Sequence, residues 1–121
     1  MTKQLAFIIE DDPDLSVIFA QALQAAEFET EIIRDGQLAL TRLAETQPVV
    51  VVLDLHLPQV PGDQILHQIR KDTRLEQTKV IISTADPLLA ETLQPEADLI
   101  LIKPISFNQL RDLAFRLHPP N

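Results

Sequence analysis

Short apolar runs alternate with amphipathic stretches from one end of this chain to the other. Residues 49–53 read Val-Val-Val-Val-Leu, without a polar residue. A strand without polar alternation has both faces covered, which is typical of a parallel sheet between two layers of helices. The stretches between the runs repeat apolar residues at helical spacing. This order of strands and helices predicts a doubly wound α/β fold with right-handed crossovers.

The pattern predicts five strands and five helices in one domain that covers residues 1–121. The strands are expected near residues 5–9, 29–33, 49–53, 80–82 and 99–102. Asp12 is the expected N-cap of the first helix, with Pro13 at the first helical position. The fourth helix is expected at 87–93, and Ser106 should cap the last. Residues 118–121 are expected to be a tail or the start of a linker.

Composition narrows the classes of function. Eighteen acidic residues and ten Lys and Arg residues give a formal charge of −8, which disfavours direct binding to nucleic acid. The chain has no cysteine, so a disulfide or a zinc–thiolate site is excluded. No apolar stretch approaches the roughly 18 residues of a membrane span, and no signal peptide pattern follows the first residue. We therefore expect a cytoplasmic protein without membrane insertion.

Polar groups follow four of the five predicted strands. Glu10 and Asp11 follow the first strand, Asp54 the third, Thr84 the fourth and Lys103 the fifth. The carboxyl ends of parallel strands share one edge of the sheet, and ligands of open α/β sheets bind at that edge where the strand order reverses. The sequence therefore predicts that these side chains converge on one site.

Converging carboxylates require compensation. Two like charges about 4 Å apart repel by roughly 4 kcal/mol at an effective dielectric constant near 20, so the site must hold a proton or a cation. Mg²⁺ accepts carboxylates, a carbonyl and waters, and it neutralises phosphoryl oxygens. Taken singly, Asp11 could be a helix-dipole acid, Asp54 a strand-end carboxylate and Lys103 a solvated loop residue. Their joint occurrence at strand ends favours a site for Mg²⁺.

The order and spacing of these motifs resemble the response-regulator receiver domain over essentially the whole chain. The matching motifs are Glu10-Asp11, Asp54 within Val-Val-Leu-Asp-Leu-His-Leu-Pro, Gly62 four residues after Pro58, Thr84-Ala85, and Lys103-Pro104. The resemblance implies a flavodoxin-like (βα)₅ three-layer sandwich with a parallel sheet of order 2-1-3-4-5.

The resemblance also implies a role for each residue of the acidic site. Asp54 would be the phosphoacceptor. Asp11 would bind Mg²⁺ directly, Glu10 would act through water, and Asp54 would supply a further oxygen. His56 would contribute its backbone carbonyl to the metal, while its side chain lies at the rim.

The remaining motif residues would bind the phosphoryl group or tune its lifetime. Thr84 and Ala85 would belong to the phosphoryl-binding switch, and Lys103 would pair with a phosphoryl oxygen. The side chains of His56 and Asp86 would influence how fast the acyl phosphate hydrolyses. The peptide bond before Pro104 would be cis, although only about 5–6% of X–Pro bonds are.

The resemblance implies a signalling switch that assists its own phosphorylation and dephosphorylation. A sensor histidine kinase or a histidine phosphotransfer protein would dock near the first helix and donate the phosphoryl group. Movement of Thr84 would then bias the surface of the fourth helix, fifth strand and fifth helix. That surface would contact a downstream effector or a second copy of the chain.

Ile100 departs from the family pattern, because a tyrosine or phenylalanine usually stands three residues before the lysine. Pro61 and Glu96 also occupy positions where an acid and a glycine are frequent. The main alternative is therefore an interaction module of the same fold that works without phosphorylation. An aspartyl phosphohydrolase would need a second aspartate where His56 stands. A flavodoxin-like cofactor binder would need a Gly-, Ser- or Thr-rich loop in place of the acids at residues 10–12.

Overall fold

The computed structural model describes residues 3–119 of the chain. The strands are β1 (Gln4–Ile9), β2 (Phe28–Ile33), β3 (Val50–Asp54), β4 (Lys79–Thr84) and β5 (Leu99–Ile102). The helices are α1 (Pro13–Ala25), α2 (Gly36–Glu45), α3 (Gly62–Lys71), α4 (Pro87–Leu93) and α5 (Phe107–Phe115). Two short 3₁₀ turns, Thr73–Leu75 and Gln94–Glu96, precede β4 and β5.

The five strands form one parallel sheet in the order β2-β1-β3-β4-β5. The predicted doubly wound fold and its strand order are therefore confirmed. The order reverses at β1 and β3, which are neighbours although β2 lies between them in the chain. This reversal is the position where open α/β sheets bind ligands.

The helices lie in two layers, one on each face of the sheet. Alternate residues of the strands point to opposite faces, so each strand contributes to two separate apolar cores. The first core packs α1 and α5 against one face, with Ile8, Val52, Ile81 and Leu101 from the strands. The second packs α2, α3 and α4 against the other face. Every residue of β3 is buried, as its continuous apolar run predicts.

Side-chain caps define where four of the helices begin. Asp12 accepts hydrogen bonds from the backbone N–H groups of Asp14 and Leu15, both at 2.9 Å, and Pro13 follows it. Asp35, Asp86 and Ser106 cap α2, α4 and α5 in the same way. These caps satisfy N–H groups that have no partner inside a helix. They also set the direction in which the chain leaves β1, β2 and β4.

Some boundaries differ from those that the sequence predicts. Strands β1, β2 and β4 begin one residue before their predicted starts and β3 begins one residue after, whereas β3 and β4 end at the polar residues Asp54 and Thr84, as expected. An apolar run marks the buried part of a strand and not the first residue of its backbone ladder. The bounds of α4 and β5 are those predicted.

The chain remains packed on the domain as far as His118, which the sequence analysis places in a tail. The His118 ring stacks on Phe28 at a centroid distance of 3.9 Å, and His118 Nε2 lies 2.6 Å from the carbonyl oxygen of Ala26. Pro120 and Asn121 lie outside the described residues. No helix within residues 3–119 has the length and apolar character needed to cross a membrane.

Candidate functional site

Three carboxylates converge at the carboxyl edge of the sheet, beside the point where the strand order reverses. Glu10, Asp11 and Asp54 each offer an oxygen atom, and these atoms lie within 4.8 Å of one another. Glu10 is 1% exposed and Asp54 is 4% exposed, whereas Asp11 is exposed. The predicted convergence of the acids is thus present, with two acids inside the protein and one at the surface.

Asp54 is held in place by the loop that follows it. The backbone N–H of His56 donates a hydrogen bond to Asp54 Oδ1 at 3.2 Å. The N–H of Gly62 donates to the carbonyl oxygen of Leu55 at 3.1 Å. A Cβ atom on Gly62 would overlap the carbonyl oxygen of Asp54 and lie 2.6 Å from Leu55 Cα. Only glycine allows α3 to begin this close to the end of β3.

The other glycine of the chain supports the same loop from the far side. The N–H of Gly36, the first residue of α2, donates to the carbonyl oxygen of Pro58 at 3.0 Å. A Cβ atom at Gly36 would collide with the backbone of Val60. Gln59 has a φ of 73°, a left-handed conformation. No local sequence signal indicates that α2 touches the loop after β3, so this contact of Gly36 could not be predicted from the sequence.

Lys103 follows β5, two strands away from β3, and its side chain extends to the acids. Its ammonium nitrogen lies 2.8 Å from Glu10 Oε1 and 3.7 Å from Asp54 Oδ1. Its backbone N–H donates to the carbonyl oxygen of Thr84 at 2.8 Å. The peptide bond between Lys103 and Pro104 is cis. The four charged groups of the site therefore lie together, with one cation among three acids.

Burial and charge act together on this cluster. Burial raises the pKa of Glu10 to about 7; the hydrogen bond from Lys103 opposes this rise and the Asp54 carboxylate adds to it. Burial also acts to lower the pKa of Lys103, but the hydrogen bond to Glu10 and the charge of Asp54 outweigh it, so this pKa lies above its usual value. One ammonium group therefore does not fully compensate the acids.

The predicted switch residues occupy the end of β4 and the turn after it. The Thr84 side chain is fully buried, and its hydroxyl oxygen accepts a hydrogen bond from the N–H of Asp86 at 3.1 Å. Ala85 is exposed. Asp86 Oδ1 caps α4 by accepting from the N–H of Leu89 at 3.1 Å. Asp86 thus connects the turn after Thr84 to the start of α4.

Ile100 lies on the face of the sheet that carries α2, α3 and α4. It is half-buried, packs against the apolar core of that face, and pairs with Ile82 in the register of β4 and β5. His56, which with Asp86 is predicted to lie at the rim of the site, is exposed.

The donor set suits a hard divalent cation. Carboxylate oxygens are the ligands that Mg²⁺ prefers, and Mg²⁺ retains several waters beside one or two of them. The exposed carboxylate of Asp11 leaves one side of the cluster open to such waters. Glu10, Asp11 and Asp54 are the residues that would hold the ion.

The curated proteins similar in sequence to this chain include two regulatory proteins. Probable methanogenesis regulatory protein FilR2 of Methanothrix harundinacea is 31% identical over 118 residues, which cover 88% of this chain and 76% of FilR2. DNA-binding response regulator MtrA of Mycolicibacterium smegmatis is 30% identical over 108 residues, which cover 89% of this chain. The chain spans about half of MtrA, with 47% of that protein covered.

Solved structures share the fold. Chemotaxis response regulator CheY4 of Vibrio cholerae aligns with a TM-score of 0.87 and 21% identity, covering 97% of this chain and all of CheY4. The receiver domain of sensor histidine kinase PA1611 from Pseudomonas aeruginosa aligns with a TM-score of 0.84 and 21% identity. That alignment covers 96% of this chain and 98% of the PA1611 domain, whose structure has a magnesium ion coordinated in the active site cleft.

The family whose profile matches this chain is described as the response regulator receiver domain, and the match covers residues 6–115. This range includes β1 from its third residue onward and all the other strands and helices, together with the acidic cluster and Lys103. The chain therefore belongs to the response regulator receiver domain family.

Proposed function

We propose that Asp54 accepts a phosphoryl group from a phosphohistidine of a sensor histidine kinase or a histidine phosphotransfer protein. The observation that carries this proposal is the grouping of Glu10, Asp11 and Asp54 within 4.8 Å, with the Lys103 ammonium group among them. The Asp54 carboxylate is a nucleophile beside the Lys103 ammonium group, and the neighbouring acids would hold a cation that also stabilises phosphoryl oxygens.

The proposed transfer is a displacement at phosphorus. A carboxylate oxygen of Asp54 forms the new P–O bond, the P–N bond to the donor imidazole breaks, and its electron pair stays on the imidazole nitrogen. The N–H of His56 holds the Asp54 carboxylate during this step. Lys103 neutralises a phosphoryl oxygen, and Thr84 donates its hydroxyl hydrogen to another. Glu10, Asp11 and Asp54 would hold Mg²⁺, which would supply the further positive charge that phosphoryl transfer requires.

The same pocket would support hydrolysis, in which water attacks the phosphorus of the phosphoaspartate, the P–O bond to Asp54 breaks, and inorganic phosphate leaves. The chain would therefore assist both its phosphorylation and its dephosphorylation without acting as a turnover enzyme. His56 and Asp86 lie close to Asp54 and Thr84 in the chain, so their side chains are candidates for tuning the rate of that hydrolysis. Ala85, between Thr84 and Asp86, would offer its backbone to a phosphoryl oxygen.

The output surface would be the face formed by α4, β5 and α5. Leu88 of α4 is 76% exposed, and Ile102 of β5 is exposed as well.

When Thr84 moves toward the phosphoryl group, it pulls on the turn that Asp86 connects to α4. Shifting a switch from 1:99 to 99:1 needs about 5.5 kcal/mol, and charge-assisted hydrogen bonds of about 1.5–3 kcal/mol each can supply it. The partner would be a downstream effector or a second copy of the chain.

We place this function in the cytoplasm, with residues 1–121 as one receiver domain. The relative MtrA is a DNA-binding response regulator, and it is about twice as long as this chain. DNA binding would belong to other chains or domains, because the formal charge of −8 opposes binding to a polyanion.

The test of this proposal is phosphorylation by a small donor. Acetyl phosphate with Mg²⁺ should add the mass of one phosphoryl group to the protein, with acetate leaving, and the Asp54→Asn variant should stay unmodified. Asp35→Asn is the matched control, because asparagine caps a helix as well as aspartate does. A wild-type protein that neither reacts with acetyl phosphate nor responds to beryllofluoride with Mg²⁺ would refute the proposal.

Ile100 favours a second candidate function, an interaction module that works without phosphorylation. The usual aromatic side chain that couples Thr84 to the output surface is replaced by an aliphatic one, which is half-buried. If the Asp54→Asn variant is not phosphorylated and yet keeps all activity of the wild type in its signalling system, this second function is correct.

A further inference from the structure

Ser83 carries a buried hydroxyl group that nothing in the described chain binds. Its side chain is 1% exposed. Among residues 3–119, Ser83 Oγ is the buried side-chain polar atom that has no hydrogen-bond partner. An unsatisfied buried hydroxyl is unfavourable for folding. A valine or alanine would fill this strand position without that penalty, so the hydroxyl calls for an explanation.

Ser83 lies beside Asp54 in the sheet. The register of β3 and β4 pairs Asp54 with Ser83, and the register of β4 and β5 pairs Ser83 with Leu101. Ile81, two residues before Ser83, belongs to the core under α1 and α5. Because strand residues two apart share a face, Ser83 points to that same face. Asp54 points to this face as well, because Val52, two residues before it on β3, belongs to the same core.

The side chain of Lys103 extends across β4, the strand that carries Ser83. Lys103 follows the end of β5, yet its ammonium nitrogen contacts Glu10 after β1 and Asp54 on β3. Strand β4 lies between β5 and β3. The side chain of Lys103 must therefore extend across β4, on the edge where Ser83 lies.

A divalent cation would compete with the ammonium group for the same oxygens. Lys103 donates to Glu10 Oε1, and Glu10 and Asp54 are two of the three residues that would hold the metal. Two cations close together repel each other. An ammonium group has three N–H donors, so it needs acceptors wherever it settles. The ammonium group of Lys103 would move the shortest distance away from the metal by withdrawing toward β4, the strand that its side chain crosses.

We infer that Ser83 is a positioning residue of the metal site, whose hydroxyl oxygen accepts a hydrogen bond from the Lys103 ammonium group when a divalent cation takes the oxygens of Glu10 and Asp54. This inference rests on the Mg²⁺ site of the proposed function. Ser83 Oγ has no partner while Lys103 contacts Glu10 and Asp54, and it would gain one when the cation takes those oxygens. The hydroxyl thus favours the metal-bound state over the metal-free state.

The decisive measurement compares Mg²⁺ affinity with metal-free stability in the full chain. In Ser83→Ala, we expect Mg²⁺ affinity, measured by calorimetric titration, to fall about tenfold to a hundredfold, as for the loss of a charge-assisted hydrogen bond. Urea unfolding in the presence of a chelator should show a midpoint equal to or above that of the wild type, because an unpaired hydroxyl has been removed. Ser83→Thr keeps the hydroxyl and should restore part of the affinity.

Thr78→Val is the matched control at the other end of β4. The buried Thr78 hydroxyl is paired, donating to the carbonyl oxygen of Pro48 at 2.7 Å. Its removal should lower the urea midpoint and leave Mg²⁺ affinity unchanged.

A double-mutant cycle identifies the partner of Ser83. In a Lys103→Met background, Ser83→Ala should change Mg²⁺ affinity no further, because the donor is gone. Equal Mg²⁺ affinity of wild type and Ser83→Ala would overturn the inference alone, and so would an equal loss in both backgrounds. A wild type that binds no Mg²⁺ would overturn the metal site of the proposed function as well.

Discussion

At the scale of single residues, the position of Asp54 depends on two residues that have no side chain. Both glycines of the chain contact the segment that follows Asp54, one from α2 and one from α3. Gly62 brings the start of α3 against the end of β3, and Gly36 binds Pro58 within the same loop. The loop is therefore held on two sides. The carboxylate keeps its place because the backbone around it cannot shift freely.

Gly62→Ala tests this support directly. The added methyl group would overlap backbone atoms of Asp54 and Leu55, which cannot rotate away as a side chain could. We expect a loss of about 1–3 kcal/mol in the free energy of unfolding, measured with urea, and slower labelling by acetyl phosphate. Gln64→Ala, an exposed position in the same turn of α3, should change stability by less than about 0.5 kcal/mol. Equal stabilities of Gly62→Ala and wild type would show that the loop is not tightly packed.

At the scale of elements, polar contacts join helices to the strands beside them. Arg42 of α2 donates to both carboxylate oxygens of Glu31 on β2, at 2.6 and 2.9 Å. Arg70 of α3 donates to Asp98 and to the carbonyl oxygen of Glu96, at 2.8 and 2.6 Å. Glu96, at a position where the family often has glycine, thereby connects the turn before β5 to α3. These contacts lie away from the acidic cluster and set the helices in place.

Acid should weaken the contact between α2 and β2. The hydrogen bonds from Arg42 lower the pKa of Glu31. A carboxyl group whose pKa is lowered by folding stabilises the protein above its unfolded pKa, and this stabilisation is lost as the pH falls through the folded value. The wild type should therefore be more stable than Glu31→Gln at pH 7, and the difference in urea midpoint should shrink below about pH 4.5. Arg42→Gln should reproduce this trend. A difference that stays constant from pH 7 to pH 3 would contradict the assignment.

At the scale of the whole molecule, the sequence predicts the fold and much of the site because both depend on strand ends. The run at residues 49–53 identifies a strand buried on two faces, and parallel pairing then brings Glu10, Asp54 and Lys103 to one edge. The contact of Gly36 with the loop after β3 could not be predicted, since it depends on how α2 packs against a distant segment. The unpaired hydroxyl of Ser83 could not be predicted either, because no sequence signal shows whether a serine in a strand has a hydrogen-bond partner.

Mg²⁺ should stabilise the entire domain through the acidic cluster. A ligand that binds only the folded state adds RT ln(1 + [L]/Kd) to the free energy of unfolding, about 1.4 kcal/mol at ten times Kd. Thermal unfolding should therefore shift upward with the logarithm of Mg²⁺ concentration once Kd is exceeded. NaCl at matched ionic strength is needed as a control, because it also screens the net charge of −8. Asp11→Asn should remove the Mg²⁺-specific part of the shift, whereas Asp112→Asn on α5 should keep it. A shift that NaCl reproduces in full, or that survives in Asp11→Asn, would mean that Mg²⁺ acts on the surface charge in general and not at the edge of the sheet.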